Sequence, residues 1–157
     1  MNKNVLLLVL LGFGSMIASN GNYKHFRNEI LGTLSGQEVS DQFFESVNVA
    51  TGKYLATGTL SLDFLDAGQL SERDAVLYDQ GADWINDRTQ ELPILWVFIN
   101  HATHFFPRFM ERCHSINELK HDKEFRELIE WVVKNILKVV ENPNDELRKK
   151  QVIMIEI

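Results

Sequence analysis

The chain has 157 residues, 45% of them apolar, and a formal net charge of −6 from 16 basic and 22 acidic side chains. That length suits one domain, and that apolar share excludes a disordered chain. The negative balance argues against nucleic acid as a partner: phosphate binding needs clustered positive charge, and the one basic cluster is Arg148-Lys149-Lys150.

Residues 1–19 place Lys3 ahead of an apolar run over 5–11, which fades through Gly12-Phe13-Gly14 into the small residues Ser15, Ala18 and Ser19. This is the pattern of a secretory signal peptide, and the run is too short to span a membrane. Alternatively, residues 4–17 form the first helix of the bundle, turned by 19–22 into a second over 23–34. Cys113 is the single cysteine, so no internal disulfide can form, and no Asn-x-Ser/Thr acceptor occurs. Export therefore fits a periplasm better than a glycosylating secretory pathway; if the leader is retained, the cytoplasm is expected. No second long apolar run exists, so no stable membrane span is expected, and residues 20–157 read as one helical domain.

Over 22–34, Phe26, Ile30 and Leu34 recur every four residues, as on one helix face. A second helix is predicted over 36–48, carrying Val39, Phe43, Phe44 and Val47. From 50 to 70 the composition changes: Thr51, Gly52, Thr57 and Gly58 punctuate it, and 60–64 alternates apolar with polar. A hairpin pairing 53–56 with 59–64 is expected, or else an irregular crossover. Ser71 with Asp74 marks a helix start, and that helix runs to about residue 90 with Leu77, Trp84 and Ile85 inward. Pro93 opens the next helix, over 94–113, which Pro107 should kink or split. The last long helix sets Phe125, Leu128, Ile129, Val132, Val133, Ile136, Leu137 and Val140 against a charged side bearing Lys123, Glu127, Glu130, Lys134 and Lys138. Asn142-Pro143 stops it, and 151–157 alternates like a strand or a frayed apolar tail.

The chemistry-bearing residues cluster on the 94–113 segment. Val97, His101, His104, Arg108 and Glu111 follow three-four spacing and share a stripe in an unbroken helix. Two imidazoles one turn apart, with a carboxylate beyond them, make His101, His104 and Glu111 the candidate ligands of a divalent transition metal. The residues otherwise call for no cofactor. Cys113 beside His114 is not a nucleophile and base, because adjacent helical residues point about 100° apart. Gly12-x-Gly14 lacks the third glycine of a dinucleotide fingerprint.

The run Trp96-Val97-Phe98-Ile99-Asn100-His101-Ala102-Thr103-His104 resembles the histidine-bearing helix of DinB-like four-helix bundles. That resemblance implies a metal-dependent bundle in which His101 matches a ligand position, while Phe105 stands where the family carries a further histidine. Asn135-Ile136-Leu137 followed by Asn142-Pro143-Asn144-Asp145-Glu146 and Arg148 is similar to the opening of PUB domains, which bind the tail of a hexameric unfoldase. A helix stopped by Asn-Pro explains the same residues.

The fold expected is therefore mainly α, a four- to five-helix bundle with a small β-hairpin or irregular insertion. Its leading function is non-enzymatic binding of a protein or an apolar small molecule through an aromatic surface of Trp96, Phe105, Phe106 and Phe109. Phe105 and Phe106 cannot both face one narrow core stripe, so one of them should be available to a partner. The alternatives are the metal-binding bundle and an α-helical repeat fragment of a larger scaffold.

Overall fold

The computed structural model describes residues 34–142, so the leader, the helix expected over 22–34 and the alternating tail over 151–157 lie outside the described residues. Helices run over Gly36–Thr57 (α1), Glu72–Glu91 (α2), Leu95–Thr103 (α3), Phe106–Arg112 (α4), Ile116–His121 (α5) and Lys123–Glu141 (α6), with a 3-10 turn at Asp63–Asp66. The architecture is mainly α, and the described residues contain no strand.

Ser35 starts α1 through a full capping box with Glu38, and Gly58, at φ 77°, ends it in the left-handed conformation that glycine adopts at no steric cost. The helix thus continues nine residues beyond the expected stop at 48, and the expected hairpin is absent. The physical reason lies in the residues read as punctuation. The hydroxyls of Thr51 and Thr57 donate to the carbonyls of Val47 and Lys53, each four residues back, at 2.7 Å. Gly52 is the point where α2 crosses. The 58–71 connection is the irregular crossover, and its 3-10 turn inserts Phe64 and Leu65 into the core.

Burial surrounds α1 on nearly every side over 39–52. It packs along α2 on one side and meets α4, α5 and α6 on the others. Two of its buried polar groups bond to each other within the helix: the Ser46 hydroxyl donates to the Gln42 carbonyl at 2.6 Å, and Gln42 Nε2 donates to Ser46 Oγ at 3.1 Å. Phe43 anchors the core, with its ring centroid 5.3, 5.2 and 6.3 Å from those of Phe44, Phe106 and Phe125. Phe109 stands edge-on to Phe125 at 5.3 Å.

The 94–113 segment splits. Pro107 sits in the first turn of α4, where its missing N–H costs nothing, and α3 has ended at Thr103. Ser115 caps α5, a short helix with no counterpart in the sequence reading. Asp122 then closes α5 and caps α6, accepting from the Phe125 amide at 2.9 Å. On α6 the expected apolar positions face inward, with Val139 buried and Val140 half-buried. Glu130 and Lys134 pair at 3.5 Å on its outer side.

Candidate functional site

The core of α3 is Leu95, Phe98, Ile99 and Ala102, and two flanks border it. His101 lies on one flank. Trp96, five residues earlier, stands about 140° away round the helix and so belongs to the other. Trp96 and Phe105 are both half-buried, whereas Phe106 and Phe109 are 3% and 0% exposed. Of the four expected surface aromatics, the structure therefore keeps Trp96 and Phe105 accessible, on separate flanks, and takes Phe106 and Phe109 into the core. The break at His104 and Phe105 decides between the paired phenylalanines: the chain re-enters a helix with Phe106 inward.

Phe105 instead joins a cluster that spacing alone does not reveal. The His101 ring lies 5.5 Å from Phe105 at 70° and 5.1 Å from Trp131 of α6 at 48°. Beneath them Phe98 meets Trp131 edge-on at 5.8 Å, fixing α3 against α6. His101, Phe105 and Trp131 are all half-buried, so each ring keeps part of its surface in solvent. The Arg108 guanidinium lies 5.6 Å over the Phe105 ring and pairs with Glu124 at 3.1 Å. Trp131 could be found in the sequence from its place four residues after Glu127 and three before Lys134, an aromatic standing on the charged flank of an amphipathic helix.

A fringe of ion pairs borders this face. Glu124 also pairs with Arg112 at 3.0 Å, and Arg112 grips Asp122 through two bonds of 2.8 and 2.7 Å. Burial alone would push the Asp122 carboxyl up, but the Arg112 guanidinium and the Phe125 amide outweigh it and hold that carboxyl below its usual value. Cys113 is buried beside the same carboxylate. Burial and the Asp122 charge push its thiol up, away from a reactive thiolate.

The stripe expected to join His101, His104 and Glu111 is interrupted. His104 and Phe105 connect α3 to α4, and Glu111 lies on α4, beyond the break. Among the described residues no group of three or more His, Cys, Asp or Glu side chains is arranged to hold a metal ion. The His101 ring is occupied by aromatic packing, while His104 and Glu111 are exposed. No described helix is long and apolar enough to cross a membrane. Compared with known proteins, the chain matches no family model, no curated protein and no solved structure.

Proposed function

We propose that this chain is a non-enzymatic helical domain that docks a protein partner through the His101, Phe105 and Trp131 face between α3 and α6. The observation that carries this reading is the ring cluster itself. Every phenylalanine among the described residues except Phe105 is buried, whereas Phe105 and Trp131 flank the His101 ring at 5.5 and 5.1 Å and all three stay half-buried. Rigid aromatic groups beside an arginine supply contact area at little entropic cost, which is why interfaces favour them. Arg108 over Phe105 adds a cation at the rim. The partner this face suits presents an apolar anchor that sits against the rings, with a polar surround that meets the Arg108–Glu124 pair. Binding rather than catalysis is supported by the use made of the reactive side chains: the Cys113 thiol is buried and the His101 ring is packed.

A photoreactive phenylalanine analogue at position 105 tests this in the full chain, expressed in its native source, with a second analogue at exposed Lys123 as control. A discrete crosslinked protein from position 105 that disappears with Trp131→Ser is the expected result. Equal crosslinking from both positions, or a position-105 product indifferent to Trp131→Ser in a folded variant, would overturn it.

A further inference from the structure

A cleft of about 280 Å³ opens between α1, the 58–71 connection and α5. Its lining is mixed: Gln42, Gln69 and the charged Glu45 from α1 and Lys120 from α5 stand beside Leu70, which is half-buried, over the buried Phe64 and Leu65. These two opposite charges line one cavity without pairing. Among the described residues Glu45 makes no ion pair, and Lys120 makes none either: its ammonium meets only the carbonyls of Ala67 and Gly68, at 3.4 and 3.5 Å.

Both charges are nevertheless held in place. Gln42 Nε2 donates to Glu45 Oε2 at 3.2 Å, and that amide is itself tied to Ser46. The Arg126 Nε donates to the Lys120 carbonyl at 2.6 Å, fixing the backbone from which the ammonium projects. The neighbouring Asp66 and Arg126 pair with each other instead, at 2.8 Å. A carboxylate and an ammonium with no ion-pair partner among the described residues therefore line one cavity.

We propose that this cleft binds a small zwitterion with an aliphatic side chain, the chemistry of a free α-amino acid. Its ammonium pairs with Glu45, its carboxylate pairs with Lys120, and its side chain lies against Leu70. A cavity of this volume sits at the small end of ligand sites, which suits a compact metabolite. Affinity in the millimolar range is expected, because partly solvated ion pairs contribute modestly. The inference is independent of the aromatic face, which lies on α3 and α6.

Titration of the isotope-labelled full chain by nuclear magnetic resonance, with L-leucine as the probe, provides the test. Saturable shifts at the Glu45, Gly68 and Lys120 amides are expected. N-acetyl-leucine, which lacks the ammonium, and leucinamide, which lacks the carboxylate, should each bind about three- to fivefold more weakly. Glu45→Gln and Lys120→Met should weaken leucine by a similar factor while leaving the spectrum otherwise folded. Absence of saturable shifts well above the millimolar range would overturn the proposal. Equal binding of leucine and both analogues would overturn it too, and that arm needs no variant to fold.

Discussion

Gly52 and Gly81 set how closely α1 and α2 approach. A Cβ built on Gly52 would stand 2.0 Å from the Leu77 carbonyl oxygen, and one on Gly81 would stand 1.9 Å from that of Asn48. Both obstacles are backbone atoms of the facing helix, so no side-chain rotation relieves the clash. Gly81→Ala should therefore force the helices apart and cost about 3 kcal/mol or more, at or beyond the usual range for overpacking. Denaturant unfolding measures this, and a loss below about 1 kcal/mol would show that the crossing is not tight. The same contact explains a failure of local reading. Gly52 looks like a helix breaker in sequence, where the advantage of having no side chain under a neighbouring helix is invisible.

At the scale of elements, Asp122 ties three helices together. It ends α5, caps α6 through Phe125 and receives two bonds from Arg112 of α4. Its carboxyl is held below its usual value in the folded state. A group so depressed contributes stability above the unfolded value near pH 4 and loses it as pH falls through the folded value. Asp122→Asn should cost about 1 to 3 kcal/mol at neutral pH through loss of the charge-assisted pair with Arg112, since asparagine caps a helix as well as aspartate does. The wild-type advantage should shrink as pH drops below about 4. Parallel stability curves for the two proteins across that range would contradict this role. The cap at Ser71 and the apolar stripe of α6 were legible, because both signals are local. The extra length of α1 was not, since the hydroxyl bonds of Thr51 and Thr57 to their own helix are indistinguishable in sequence from turn-forming ones.

Over the whole molecule, the helical class was legible because apolar positions recur at helical spacing on α1, α2 and α6, and each stripe finds a partner to cover it. The site was only partly legible. Phe105 and His101 were visible as chemistry, but their true neighbour Trp131 lies on α6, and the break before α4 reassigns Phe106 and Phe109 to the core. The cleft near Lys120 draws residues from 42–45, 64–70 and 120, so no local spacing announces it. This division between face and core is what the functional reading depends on.

The most direct test compares Phe105→Ser with Phe106→Ser in unfolding midpoint and in crosslinking from an analogue placed at His101. Phe105→Ser should lose the partner while staying within about 1 kcal/mol of wild type, and Phe106→Ser should lose about 3 kcal/mol or more, as a truncated core phenylalanine does. Equal destabilisation by the two substitutions, or undiminished partner crosslinking in Phe105→Ser, would contradict the account.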